Sequence, residues 1–305
     1  MGELDGKVAV VTGAGRGLGK MQALEFAKQG ARLVINDLGV AADGSGKDES
    51  AGREVVDEIK AMGGEAVAHF GDVANWDDSK AMIQTAIDTF GDFNILLSNA
   101  GFCRDKMLFS MNEEEFDSVV RVHMKGHFCG IRHAAEYFRT KGKAEGQVYG
   151  RIISTASEAA LFADPGQPNY SAAKAGIIAI TNGAAQALAK YGVTANTYMP
   201  RARTAMTMVG QNIQWFKEPE EGFDVFNPSH VTPLVGYLAS PAAQHISGNV
   251  FIVWGKEIAV LGYPKRDGEF HCEDVWTREE VVKHVGGFFE GKEPIKDSFI
   301  VPPTI

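Results

Sequence analysis

The chain has 305 residues, 45% of them hydrophobic, which suits one large α/β core. Its formal charge is −9 and no basic run is present that could track a phosphate backbone, which argues against a nucleic-acid partner. No apolar run approaches the roughly 20 residues a membrane-spanning helix needs, the first residues carry no basic-then-apolar leader, and Cys103, Cys129 and Cys272 show neither a CxxC pair nor metal-ligand spacing. A reduced, cytoplasmic protein without a metal is expected.

Residues 7–11 (KVAVV) form a short β-branched run and predict a buried strand, ended by Thr12 and Gly13. A helix is predicted from Gly17, stopped by Gly30, and a second strand over 31–37. Residues 40–49 (VAADGSGKDE) are polar and Gly-rich and read as a surface loop. The alternation continues with a helix over 51–62, a strand over 66–70, a helix over 76–90 and a strand over 94–97. A long helical region over 113–140, a strand over 151–154, a helix over 169–190 and a strand over 193–198 follow. A helix over 228–238 and a strand over 250–253 complete the pattern. Seven strands alternating with helices predict a doubly wound parallel sheet of the Rossmann type. The segment 203–226 lacks clean periodicity and reads as a substrate lid. Residues 1–260 are assigned to one domain and 261–305 to an extension of it, with a capped helix over 277–290 opened by Thr277 and Glu280.

The first turn, TGAGRGLG, carries Gly13, Gly17 and Gly19, with Arg16 and Leu18 counted in the same site. It follows a strand and opens a helix, whose N-terminal N–H groups and positive dipole end suit a pyrophosphate. Asp37 ends the second strand, where a carboxylate can accept both ribose hydroxyls of adenosine and repel a 2′-phosphate, which favours NAD(H). Arg16 argues the other way, as a cation able to meet a 2′-phosphate, but it can also swing to solvent. Asp72 and Val73 follow the third strand and either meet adenine or simply close the turn. Asn99, Ala100 and Gly101 follow the fourth, where small residues let the backbone pass beside a cofactor.

Tyr170 and Lys174 stand four apart on a predicted helix and so share a face, and Ser157 precedes Tyr170 in the loop after the 151–154 strand. That loop lies at the carboxyl edge of the sheet, where open α/β folds bind ligands. Oxidising an alcohol removes a proton from oxygen and a hydride from carbon. A phenol with its ordinary pKa of about 10 is a poor base at neutral pH, so the Lys174 ammonium is expected to lower it. Ser157 is expected to fix the substrate oxygen. These residues predict an enzyme with Ser157, Tyr170 and Lys174 as its catalytic group.

TGAGRGLG, NAG (99–101), Ser157 and YSAAK (170–174) resemble the short-chain dehydrogenase/reductase family over residues 5 to about 260. Within it, VINDLG (34–39) with the Gly-rich insertion, RDKMLFSM (104–111), RVHMKGHF (121–128), GRII (150–153) and GQPNYSAAK (166–174) are similar to the dehydrogenase part of peroxisomal multifunctional enzymes of type 2 and their stand-alone bacterial relatives. The resemblance implies NAD-linked oxidation of a (3R)-3-hydroxyacyl-CoA thioester or a hydroxysteroid, by a homodimer or homotetramer. It implies that Lys174 holds the nicotinamide ribose and that Pro200 and Thr204 lie at the nicotinamide end. Two residues depart from the common pattern. His123 stands where many members have an Asn whose carbonyl serves a proton relay, and is read as a structural histidine. Arg201 replaces a Gly after Pro200, and with Arg203 it can meet an acidic substrate group. The alternatives are an NADPH-dependent 3-oxoacyl thioester reductase and a non-catalytic dinucleotide sensor; the latter has no need of Ser157, Tyr170 and Lys174 together.

Overall fold

The computed structural model describes residues 2–41, 43–208, 216–262 and 266–292. Its strands are β1 (Val8–Thr12), β2 (Arg32–Asn36), β3 (Ala66–His69), β4 (Ile95–Ser98), β5 (Gly150–Thr155), β6 (Val193–Pro200), β7 (Val250–Trp254) and β8 (Glu257–Leu261). They form one sheet in the order β3-β2-β1-β4-β5-β6-β7-β8. The first seven pair in parallel, as expected of a doubly wound fold. The eighth was not anticipated: it returns antiparallel along β7 through a tight turn at Gly255, whose φ is +46°.

Both faces of the sheet are covered, so alternate strand residues enter two separate cores. Ala9, Val11, Leu33, Ile35, Ile95 and Leu97 pack with residues of α1 (Gly17–Lys28), α2 (Ser50–Ala61) and α8 (Thr232–Ala239). Val8, Val10, Val34, Leu96 and Ile152 pack on the other face against α3 (Trp76–Phe90), α5 (Gly126–Glu145) and α7 (Pro168–Leu188). The strand order reverses between β1 and β4, which opens a crevice at their carboxyl ends.

The long helical region divides into α4 (Glu113–Val120), a π turn over Arg121–Lys125, and α5. Asn112 and Glu115 close a capping box at the start of α4. A single turn, α6 (Ala159–Phe162), follows β5. In the extension, Thr277 and Glu280 form the expected capping box ahead of α9 (Arg278–Val281), and a π turn leads to α10 (Gly287–Phe289). Of the segment read as a lid, residues 209–215 lie outside the described residues. The rest is irregular, and its base is tied by the Arg203–Asp224 ion pair and by Arg203 N–H donating to the Phe226 carbonyl at 2.8 Å.

Candidate active site

The turn after β1 brings backbone from two strands into contact. A Cβ on Gly13 would stand 2.7 Å from Ala100 Cα, and one on Gly19 would stand 2.1 Å from the Gly13 carbonyl oxygen. A side chain at Gly13 would push the turn off the backbone after β4, and one at Gly19 would push α1 off the turn, which is the physical reason for glycine there. Thr12 Oγ1 accepts from the N–H of Asn99 at 3.0 Å and of Ala100 at 3.2 Å, and Asn99 Nδ2 donates to the Gly13 carbonyl at 3.3 Å. Behind this contact runs a buried polar chain. Gln22 Nε2 and Thr155 Oγ1 both donate to Tyr198 Oη at 2.7 Å, and Thr155 Oγ1 also approaches Asn99 Oδ1 at 3.3 Å.

A cleft of about 370 Å³ opens over the β1–β4 crevice. Gly13, Arg16, Gly17 and Leu18 line it from the first turn, with Asp37 just beyond β2. Asp72 and Val73 line it beyond β3, Asn99, Ala100 and Gly101 beyond β4, and Thr204 closes the far end. Gly19 and Pro200, also counted from the sequence, shape the surroundings and do not line the cleft. Asp37 is held by two backbone donors, Gly15 N–H at 2.6 Å and Gly39 N–H at 2.7 Å. Arg16 turns toward Asp48 of the insertion, 3.5 Å away. The insertion folds back on the cleft: Arg104 Nε donates to the Asp43 carbonyl at 3.2 Å, and Gly44 lies against the Phe102 ring.

Ser157, Tyr170 and Lys174 do not line this cleft. Tyr170 is half-buried and Lys174 buried, one helical turn apart on α7, with the amine 5.3 Å from the phenol ring centre. Lys174 Nζ donates to the Thr155 carbonyl at 2.7 Å, which joins the amine to the polar chain above. Ser157 Oγ accepts the Ala159 N–H at 3.2 Å, and its hydroxyl lies close enough to the phenol to favour the ionised form. Asn169, fully buried, fixes the start of α7: its Nδ2 donates to the carbonyls of Arg104 at 3.0 Å and Glu115 at 2.9 Å, and its Oδ1 accepts Tyr170 N–H at 2.7 Å.

A sequence profile described as short chain dehydrogenase matches residues 7–214. The chain belongs to the short-chain dehydrogenase family. It is 44% identical over 300 residues to the hydroxyacyl-CoA dehydrogenase ChsB1 of Mycobacterium tuberculosis, covering 96% of this chain and 91% of that one. It is 40% identical over 302 residues to peroxisomal multifunctional enzyme type 2 of Drosophila melanogaster, covering 94% of this chain and 48% of that protein. The crystal structure of a short chain dehydrogenase from Mycobacterium avium superposes with a TM-score of 0.84 at 43% identity, covering 99% of both chains.

Membership makes this short-chain dehydrogenase an oxidoreductase and implies a nicotinamide coenzyme. The cleft suits one. The N-terminus of α1 opens onto it, the space beside Gly17 is free of neighbours, and a carboxylate, Asp37, stands where a ribose diol would need acceptors.

Two expectations from the sequence need correction. Arg201 and Arg203 are not open cations, since both are ion-paired within the protein. Arg201 makes a two-pronged ion pair with Glu158, and Arg203 pairs with Asp224 and donates to the Phe216 carbonyl at 3.1 Å. Nor does the Tyr170 phenol lie below its ordinary pKa. Burial pushes Tyr170 above its ordinary pKa, with Ser157 pulling the other way. Burial also brings the Lys174 amine down to about 7, so at neutral pH it carries only part of the charge a full ammonium would offer.

His123 is buried in the π turn. Its ring packs edge-on to Tyr170 at 5.1 Å, and its Nε2 lies 3.1 Å from Phe102 N and 2.7 Å from Phe102 O. Burial keeps the imidazole neutral, with its pKa well below the ordinary value. Sequence reasoning missed Arg121, which lines the cleft and donates to Asp72 Oδ2 at 2.5 Å, as well as Asn169 and Glu158. The family resemblance over 121–128 and 166–174 was the one signal that could have pointed to the first two.

Proposed function

We propose that this short-chain dehydrogenase interconverts a secondary alcohol and a ketone with NAD(H), acting on a 3-hydroxyacyl-CoA thioester. The convergence of Ser157 on the Tyr170 phenol, with the Lys174 amine one turn away and bonded to Thr155, carries the reading. The bound nicotinamide supplies hydride exchange with the carbinol carbon. Ser157, held by the Ala159 N–H, orients the substrate oxygen. The Tyr170 phenol exchanges the proton with that oxygen. With its pKa near 7, the Lys174 amine can take up or release a proton at neutral pH, as the phenol's partner.

Gly13, Arg16, Gly17, Leu18 and Gly19 would hold the pyrophosphate turn. Asp37 would hold the adenosine ribose, Asp72 and Val73 the adenine, and Asn99, Ala100 and Gly101 the middle of the coenzyme. Tyr170, Lys174, Pro200 and Thr204 would surround the nicotinamide end. The Asp37 carboxylate, fixed by two backbone donors, supports NAD over NADP through repulsion of a 2′-phosphate. The thioester is supported by the similarity to the hydroxyacyl-CoA dehydrogenase of M. tuberculosis. Residues 203–226 serve as the lid over the substrate, and 261–305 as an extension of the domain formed by 1–260. Three free cysteines support a reducing, cytoplasmic setting. A homodimer or homotetramer is supported by the exposed small residues Ala172, Ala175, Ala179 and Gly183 on one face of α7. Among the described residues, no helix is long and apolar enough to cross a membrane.

Initial rates with NAD and with NADP, on 3-hydroxyacyl-CoA thioesters and on hydroxysteroids, test the proposal. Turnover of the thioesters with NAD is expected. A strong NADP preference would favour the 3-oxoacyl thioester reductase instead, and turnover of steroids alone would overturn the thioester.

A further inference from the structure

Ser157 sits in a weakly supported place. It follows β5 and precedes only a single helical turn, α6, which ends at Ala163 with a φ of +48°. One turn of helix has little stability of its own, so something else must fix the backbone there. The next residue, Glu158, lies against the end of the neighbouring strand β6. Arg201 Nε and one Nη donate to its two carboxylate oxygens at 2.5 and 2.7 Å. Both side chains are largely buried, at 15% exposure for Arg201 and 12% for Glu158.

Arg201 is itself held. Its guanidinium lies 4.1 Å from the ring centre of Trp254, a buried residue at the end of β7, and its N–H donates to the Val253 carbonyl at 3.0 Å. A bidentate guanidinium–carboxylate pair fixes orientation as well as distance, and stacking on an indole restricts the guanidinium plane. The turn carrying Ser157 is therefore anchored across three strands.

We propose that Glu158 and Arg201 are positioning residues, whose ion pair fixes the Ser157 hydroxyl against Tyr170. The inference rests on Ser157 having the role given above. It also assigns Arg201 a task other than binding an acidic substrate, since its charge is balanced by Glu158 within the protein.

The test is a coupling cycle. Arg201→Met, Glu158→Gln and the double variant Arg201→Met/Glu158→Met are made in the parent and in a Ser157→Ala background. For each, kcat and KM for the best alcohol substrate with NAD, and Tm, are measured. The double variant guards against misfolding, because it leaves no unpaired buried charge. In the parent background kcat is expected to fall by roughly tenfold or more, in the double variant too, with KM for NAD unchanged and Tm of the double near the parent's. In the Ser157→Ala background the same changes are expected to move kcat by no more than about twofold. An equal loss in both backgrounds, a double variant with parent kcat, or a change confined to the substrate KM would each overturn the proposal. Tyr170→Phe tells the two readings apart: parent-like turnover by that variant would remove the proton-transfer reading on its own, whatever the cycle gives.

Discussion

The Lys174 amine is a base buried without a carboxylate beside it, and this sets a pH dependence. Burial brings it from an ordinary 10.5 to about 7. Below about pH 7 the folded and unfolded chains both hold the proton, and the fold bears the full cost of the buried charge. As pH rises the folded chain releases the proton first, so stability from this group climbs between about pH 7 and 10.5. Tyr170, raised above its ordinary 10 by burial, begins to oppose this only once the unfolded phenol ionises near that pH. The coenzyme-free parent should therefore gain in Tm relative to Lys174→Met between pH of about 7 and about 9.5, measured by thermal melts; parallel curves would contradict the buried amine. Tyr170→Phe should lower kcat by about 10²–10⁴-fold while NADH still binds, as read by fluorescence titration. Ser157, Tyr170 and Lys174 were legible because their spacing needs only a strand, a loop and one helix. Glu158 was not, because its partner lies 43 residues away and the pairing exists only once β5 and β6 are side by side. The phenol's raised pKa was hidden for a related reason: spacing places a lysine near a tyrosine, but burial decides whether that lysine is charged.

Individual elements differed in how plainly they announced themselves. Central strands such as β1 and β4 are buried on both faces, and so appear as nearly continuous apolar runs. The returning strand β8 is an edge with one partner, and Ile258 and Val260 point outward, so its five residues resemble a loop. The π turn at Arg121–Lys125 has no local signal, since its residues read as ordinary helix. The described parts of 203–226 could be recognised as irregular, but the tie between Arg203 and Asp224 could not. Arg203 and Asp224 are only 17% and 15% exposed, and losing Asp224 leaves the buried guanidinium only the longer ion pair to exposed Glu218 at 3.8 Å. Asp224→Ala is expected to cost about 3–5 kcal/mol in urea unfolding and to speed proteolytic cleavage within 203–226. A change below 1 kcal/mol would mean that the base is held by other contacts.

At the scale of the whole molecule, the exposed face of α7 is unusual for a helix of this length. Ala172, Ala175, Ala179 and Gly183 stand one turn apart, and a Cβ built on Gly183 meets nothing within 4 Å. Such a face allows close approach of a second helix but offers little to water. If the proposed homo-oligomer forms through this face, Ala179→Arg should reduce the molecular mass in light scattering to that of one chain; an unchanged mass would remove α7 as the interface.

The two-sided burial of the sheet also bears on how the chain is made. β1 to β4 are complete by Ser98, and α3 already covers one side of them. The opposite side carries α1 and α2, but Phe26 and its neighbours gain their remaining cover only when Leu234, Val235 and Leu238 of α8 arrive. A nascent chain thus holds one core incomplete on the ribosome for most of its synthesis, and its first half depends on sequence translated more than a hundred residues later.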